Sequence, residues 1–177
     1  KLPSLLAIRV VATCPSFKSV SLAFGKVVPE SLTELATTLP EPPPPGARAP
    51  RRAPPVAATG PTDAVAGDNG DPFPVVSLGD GGSATLTFGN STFPSPIADI
   101  PGPDFAVFEN AFNSVFLELA HVEVSSDGLN FFRFPSISLT QTTTQVLGYG
   151  TLNGTNIYNL AGKVPGGFGT PFDLAQL

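Results

Sequence analysis

Residues 102–110 read Gly-Pro-Asp-Phe-Ala-Val-Phe-Glu-Asn, a turn followed by an apolar run. The wholly apolar residues 105–108 are typical of a central strand that is covered on both faces. Upstream, residues 83–88 alternate between polar and apolar side chains, which is the period-2 pattern of a half-buried strand. Downstream, residues 116–124 and 131–134 form further short β-like runs bounded by Gly, Pro, Asn and Asp. This spacing predicts an all-β fold, namely an antiparallel β-sandwich.

Turn residues within this region predict two hairpins. In residues 120–124 the even-numbered side chains are apolar, so they share one face of a strand. Asp127-Gly128 follows, and both residue types tolerate positive φ, so we expect the chain to fold back into residues 130–134. Asn153-Gly154 predicts a second hairpin, formed by the segments on its two sides within residues 146–160.

The balance of charge changes sign along the chain, which indicates two physically different segments. Residues 1–55 contain seven basic and three acidic residues, together with 11 of the 21 prolines. From residue 56 onward there are eleven acidic residues and two basic ones, Arg133 and Lys163. Because proline removes an amide donor and fixes φ, residues 1–61 are expected to form a proline-rich, largely disordered tail or linker. The β-sandwich domain is then expected to comprise residues 62–177.

Composition argues against several functions. Binding to nucleic acid requires clustered Lys and Arg, which the acidic body lacks. The only cysteine, Cys14, and the only histidine, His121, are too few for a zinc site or a disulfide framework. His121 lies in mid-strand and no Gly-x-Ser-x-Gly elbow is present, so a serine-type triad is not indicated. Arg9 interrupts the apolar residues 5–12, and no apolar run approaches the ~18–20 residues of a transmembrane helix. We therefore predict a protein that is not an enzyme.

Carboxylates provide the remaining candidate chemistry. Five of them lie in or beside predicted loops: Asp99, Asp104, Glu109, Asp127 and Asp173. Hard oxygen ligands of this type suit Ca²⁺, and backbone carbonyls of residues 101–103 can complete such a shell. The alternative is that these acidic turns simply face water, since their spacing matches no EF-hand. Sugar stacking usually relies on exposed aromatic rings, above all Trp, and the chain has no Trp and two Tyr. That weakens a lectin-like interpretation without removing it.

Four groups of residues form a recognisable set. They are Val75-Val76-Ser77-Leu78-Gly79 with Gly81-Gly82-Ser83; Gly102-Pro103-Asp104-Phe105 with Val107-Phe108-Glu109-Asn110; Val122-Glu123-Val124-Ser125-Ser126-Asp127-Gly128 with Phe132; and Asn159-Leu160-Ala161-Gly162-Lys163 with Gly169-Thr170-Pro171-Phe172-Asp173-Leu174. Together they resemble a bacterial secreted or cell-surface domain, found in proteins with C-terminal sorting signals of the PEP-CTERM type. The hairpin of the third group is similar to that of discoidin-like, galactose-binding-type jelly rolls.

The resemblance covers roughly residues 65–177 and implies a jelly-roll β-sandwich in an extracellular or cell-surface protein. Further strands follow the Thr-Pro-Phe-Asp-Leu segment in that family, so the domain is expected to be incomplete on its C-terminal side. The family's opening strand is not recognisable here, and the proline-rich tail stands in its place. We expect a non-enzymatic module for adhesion or ligand binding, with a surface glycan or protein as partner. The alternative is a carbohydrate-binding module attached to a secreted hydrolase.

Overall fold

The regular structure of the described residues is almost purely β. The computed structural model describes residues 7–12, 21–23, 34–36, 76–78, 81–88, 96–109, 113–144, 146, 150–164 and 168–177. Within these ranges all paired strands are antiparallel, and the helical content is two 3₁₀ turns, Gly154–Asn156 and Leu174–Gln176. No helix in the same ranges is long and apolar enough to cross a lipid bilayer. The predicted all-β, antiparallel class is confirmed.

The strands of the described residues form three sheets. They are β1 (Ala7–Ala12), β2 (Ser21–Ala23), β3 (Glu34–Ala36), β4 (Val76–Ser77), β5 (Ser83–Thr87), β6 (Phe105–Glu109), β7 (Ala120–Ser125), β8 (Phe132–Arg133), β9 (Ile137–Ser138), β10 (Ile157–Tyr158) and β11 (Thr170–Phe172). A five-stranded sheet has the order β3-β5-β1-β7-β8, and a four-stranded sheet has the order β11-β6-β2-β4. The remaining strands, β9 and β10, pair with each other.

Strand β1 lies inside the segment that the sequence assigned to the N-terminal tail. It is the central strand of the five-stranded sheet and pairs with β5 on one side and β7 on the other. Ile8 and Val10 are buried, and Arg9 between them points to the opposite face of the sheet because side chains alternate along a strand. Strands β2 and β3 also come from this segment. These three strands are the described part of residues 1–61, and the proline-rich residues 40–61 lie outside the described residues.

Both larger sheets contribute to one hydrophobic core. Buried residues of the five-stranded sheet include Ile8, Val10, Ala84, Leu86, Val122 and Val124, and those of the four-stranded sheet include Phe105, Val107 and Phe172. The period-2 patterns predicted for β5 and β7 are confirmed, because their apolar positions are buried and the intervening positions are mostly half-buried. Strand β6 differs from its prediction, since Ala106 and Phe108 are only half-buried and a single face is fully covered.

Three phenylalanine rings connect strands of the two sheets. The rings of Phe105 and Phe172 stack with centroids 5.3 Å apart, and the Phe134 ring lies 6.0 Å from Phe105 and 5.0 Å from Phe172. Phe134 follows β8, and its backbone N–H donates to the Val122 carbonyl at 3.0 Å. Aromatic pairs at such distances add to the stabilisation that ring burial provides. The cluster therefore ties β6 and β11 to the edge of the five-stranded sheet.

The solvent side of the five-stranded sheet carries a charged network. The carboxylate of Glu123 lies between two guanidinium groups, with Arg133 at 2.7 Å and Arg9 at 3.3 Å. Arg9 also donates to the Thr85 hydroxyl at 3.3 Å, and its guanidinium lies 3.6 Å from the centroid of the Phe131 ring. These contacts explain how an arginine is accommodated in the central strand of a sheet.

One predicted hairpin is confirmed and the other is wrong. Strand β7 turns at Gly128, whose φ is 75°, and pairs with β8. In contrast, Asn153-Gly154 opens the first 3₁₀ turn, with the Asn153 side chain as its cap. Strand β10 pairs with β9 (Ile137–Ser138), and no strand pairing links it to residues 146 and 150–152, the described part of the predicted partner segment. The Asn side chain satisfies the amide of Thr155 locally, so the chain does not need a two-residue hairpin turn there.

Candidate metal site

Three aspartates from two distant segments of the chain converge beside β6 and β11. Asp99, Asp104 and Asp173 each offer a carboxylate oxygen, and these atoms all lie within 4.8 Å of one another. Asp104 is buried, whereas Asp99 and Asp173 are half-buried. The structure therefore brings together three of the five carboxylates that the sequence proposed as metal ligands.

The pairing of two strands positions Asp104 and Asp173. Phe105 of β6 faces Phe172 of β11 in the ladder, so the residues just outside the two strands are neighbours. The backbone N–H of Asp104 donates to the Phe172 carbonyl at 2.8 Å and extends the ladder by one hydrogen bond. Asp104 precedes β6 and Asp173 follows β11, so antiparallel pairing places both at the same end of the strand pair.

Asp104 joins its loop to the C-terminal segment. Its Oδ1 accepts a hydrogen bond from the Ile100 amide at 2.9 Å, and its Oδ2 accepts one from the Leu174 amide at 2.8 Å. These two amides stabilise a carboxylate that is almost fully removed from water. The Leu174 contact spans 70 residues of sequence. Leu174 is itself a buried core residue, so the carboxylate and the core fix the same segment.

Asp173 has a second role as a helix cap. Its Oδ1 accepts from the Ala175 amide at 2.8 Å and caps the 3₁₀ turn Leu174–Gln176. An aspartate that caps with one oxygen can still present its other oxygen to a cation. Asp99 lies in the loop that precedes Asp104, at the edge of the same cluster.

The cluster suits a hard cation. Like charges 4.8 Å apart repel by about 3 kcal/mol per pair at an effective dielectric constant of about 20. Backbone amides offset part of this repulsion at Asp104, and a divalent cation between the carboxylates would convert it into attraction. Carboxylate oxygens are the ligands that Ca²⁺ and Mg²⁺ prefer. These three residues could hold a metal ion.

Glu109 lies outside this cluster. It ends β6, whereas Asp104 precedes the strand, and five residues of extended chain span about 16 Å. Its side chain is buried, and its Cγ lies near Gly162, where a Cβ would come within 3.5 Å. Sequence proximity to Asp104 was therefore a poor guide to spatial proximity, because strand geometry separates the two carboxylates.

Asp127 also lies outside the cluster, at the exposed turn between β7 and β8. Its Oδ1 accepts from the amides of Leu129 and Asn130, both at 2.8 Å, and from the Ser125 hydroxyl at 2.8 Å. Hydrogen bonds from the Asn130 amide and side chain, and then from Leu129 and Ser125, lower the pKa of Asp127 far below its ordinary value. This carboxylate closes a hairpin turn.

A contact that the sequence analysis missed involves the single histidine. Nδ1 of His121 lies 3.2 Å from the Ser136 hydroxyl. Burial, and secondarily the positive charge of Arg133, lower the pKa of His121, although Glu123 opposes this effect. A hydroxyl beside an imidazole is only one part of a serine-type triad, which also needs an orienting acid and oxyanion donors. No local sequence pattern predicts the contact between His121 and Ser136, because it forms only when β8 folds back along β7.

Comparisons with protein-family models, with curated proteins and with solved structures find no match for this sequence.

Proposed function

We propose that the protein is a non-enzymatic, extracellular or cell-surface β-sandwich module for adhesion or ligand binding, with a structural Ca²⁺ at Asp99, Asp104 and Asp173. The sandwich is supported by the single core to which both antiparallel sheets contribute. The cell-surface location is supported by the resemblance of residues 65–177 to secreted bacterial domains.

The observation that carries the metal proposal is the convergence of three carboxylates from two distant segments. A cation there would link the loop before β6 to the segment after β11, both of which Asp104 already joins through backbone amides. The ion would thus cross-link the two segments, since Asp104 and Asp173 also accept hydrogen bonds from backbone amides of these segments. Ca²⁺ is preferred to Mg²⁺ because it tolerates irregular coordination by carboxylates, carbonyls and water.

Thermal unfolding with and without Ca²⁺ tests this proposal. At several millimolar Ca²⁺, and with the submillimolar affinity common in extracellular modules, binding would stabilise the fold by about 1–2 kcal/mol relative to EDTA. For a chain of this size the Tm would rise by a few degrees. Mg²⁺ at the same concentration is expected to produce a smaller shift.

Two variants distinguish Ca²⁺ binding at the aspartate cluster from a nonspecific effect of the protein's negative charge. Asp99→Asn is expected to abolish the Ca²⁺-dependent shift, because it removes a ligand charge without removing a core contact. Asp127→Asn is the matched control, since it removes one negative charge at the exposed hairpin and should leave the Ca²⁺ shift intact. Equal Tm values in Ca²⁺ and EDTA for the unsubstituted protein would contradict the proposed metal site.

A hydrolase screen tests the non-enzymatic part of the proposal. We expect no turnover above background with glycoside, ester or peptide substrates. Turnover that is lost on substitution of Asp104 or Glu109 would replace the proposed role with a catalytic one.

A further inference from the structure

A second concave region of the molecule lies among loops, away from the three aspartates. Three loop segments border an open cleft with a volume of about 770 Å³. Its lining consists of Ser114, Val115, Thr151, Leu152, Asn153, Gly154, Thr155, Lys163 and Val164. None of these residues belongs to the carboxylate cluster.

The cleft rests on a hydrophobic core of its own. Leu117, Ile157 and Leu160 are buried together, and Leu119 and Leu152 pack against them. This group is separate from the main core between the sheets. Small apolar clusters of this kind commonly lie beneath long surface loops. A dedicated core under irregular segments holds them in one arrangement.

Backbone contacts connect the three segments. The Leu152 amide donates to the Val115 carbonyl at 2.7 Å, which joins the first segment to the second. Gly154 lies so close to Lys163 that a Cβ would come within 2.4 Å of the lysine carbonyl oxygen, which joins the second to the third. Ala120 and Ala161 exchange two backbone hydrogen bonds of 3.1 and 2.9 Å, and these anchor the third segment to the end of β7.

Side chains also fix the turns at the cleft. Asn113 Oδ1 accepts from the amides of Val115 and Phe116 at 2.9 and 2.8 Å. Asn153 Oδ1 accepts from the Thr155 amide at 3.0 Å and from the Thr155 hydroxyl at 2.8 Å. The loops are therefore organised before any ligand arrives, which reduces the entropy that binding must overcome.

The chemistry of the lining is specific. Hydroxyl groups come from Ser114, Thr151 and Thr155, and Asn153 retains its amide nitrogen as a donor. Lys163 is the one charged residue among the described residues of the lining. Its Nζ lies 5.4 Å from the centroid of the Tyr158 ring, which is 48% exposed. Tyr158 is not part of the lining, so the groups available to a ligand are the hydroxyl, amide and ammonium groups, which can bind the hydroxyls and a carboxylate of a sugar.

We propose that this cleft binds a saccharide that carries a carboxylate, and that Lys163 recognises that carboxylate. The proposal rests on the ligand-binding part of the proposed function and names the ligand class. A purely apolar ligand would bury the hydroxyls without partners, which is costly. A neutral sugar would leave the ammonium group without an anionic partner. The chain's net charge of −5 opposes densely anionic polymers, so sugars with isolated carboxylates are favoured.

Titration of the ¹⁵N-labelled full chain with matched sugars tests the proposal. The probes are 3′-sialyllactose against lactose, and trigalacturonate against its fully methyl-esterified form. At least one acidic probe is expected to bind about tenfold more tightly than its neutral partner, because a charge-assisted hydrogen bond contributes about 1.5–3 kcal/mol. Shift changes should be confined to residues 113–116, 150–155 and 162–164.

Two charge-removing variants locate the recognition. Lys163→Gln is expected to abolish the preference for the acidic probe while leaving weak binding of the sugar. Arg133→Gln, on the solvent side of the five-stranded sheet, removes the same charge elsewhere and should retain the preference. A third variant, Thr151→Val, should weaken binding of the acidic and neutral probes equally.

Three outcomes would overturn the proposal: no binding of any probe, shift changes outside the cleft, or a preference that survives Lys163→Gln. The first would leave the Ca²⁺-dependent Tm shift and any adhesion by the chain untouched. Failure of this inference is thus distinguishable from failure of the proposed function.

Discussion

Among the described residues, apolar side chains are buried in two clusters that are built from different kinds of backbone. The main core contains residues of both larger sheets, and its members recur at every second residue in β5 and β7. The smaller core of Leu117, Ile157 and Leu160 lies beneath loops and one two-residue strand. The alternation of apolar and polar residues specifies the main core, whereas the smaller core forms only where separate segments of the chain meet. We infer that the main core provides the stability and that the smaller core organises the cleft.

The same contrast holds for two carboxylates that looked equivalent in sequence. Asp127 accepts hydrogen bonds from residues two and three positions away and closes an exposed turn. Asp104 accepts one from Leu174, 70 residues away, and is buried. Local hydrogen bonds shape a loop, while long-range ones hold the tertiary structure together. If the main core and the smaller core beneath the cleft have these different roles, substitutions in them should have different effects.

The largest effect is expected from Phe134→Ala in the main core. The ring is buried against Phe105 and Phe172, so its removal should lower the free energy of unfolding by about 3–5 kcal/mol. Urea denaturation measures this loss. Phe132→Ala is the control two residues away, where the exposed ring should contribute less than about 0.5 kcal/mol. Similar losses for both variants would contradict the assignment of the core.

A smaller loss is expected from Ile157→Ala in the second core. Ile157 is fully buried, and its truncation should cost about 2–3 kcal/mol. Amide hydrogen exchange should accelerate in residues 150–164 more than in β5 and β7. Ile137→Ala, in the strand paired with β10, removes an exposed side chain of the same type and should change little. Uniform acceleration across the chain would show that the two cores unfold as one.

The charged network on the five-stranded sheet should contribute still less. Glu123→Gln weakens the contacts to Arg9 and Arg133, both of which remain partly exposed to water. We expect a loss of about 0.5–1 kcal/mol at low salt. Because screening weakens exposed ion pairs, the difference between variant and parent should shrink in 1 M NaCl, and an undiminished difference would mean that packing dominates.

The smallest effect concerns pH. The pKa of His121 is lowered in the folded protein by burial and by Arg133, so between the lowered and the ordinary value the unfolded chain binds more protons than the folded chain. Stability is therefore complete above about pH 7 and falls as pH drops below 6.5, the ordinary pKa of histidine. Chemical denaturation from pH 8 to 5 should show this decline, and His121→Gln should flatten it. A parallel decline in the variant would assign the effect to carboxylates.

Local sequence patterns were sufficient to predict several of the strands. Alternation marks β5 and β7, and Asp127-Gly128 marks the turn into β8, because side-chain period and turn chemistry act between near neighbours. The sequence also singled out Asp99, Asp104 and Asp173, although Glu109 and Asp127 carried the same signal and lie elsewhere.

The contacts between distant segments could be identified only from the folded chain. Arg9 looked like an interruption of an apolar run, and it is acceptable in the central strand because Glu123, Thr85 and Phe131 receive its guanidinium group. The carboxylate cluster requires β6 to pair with β11, and the cleft requires Gly154 to approach Lys163. Such contacts leave no local periodicity, since their energy is realised only when the chain closes over tens of residues.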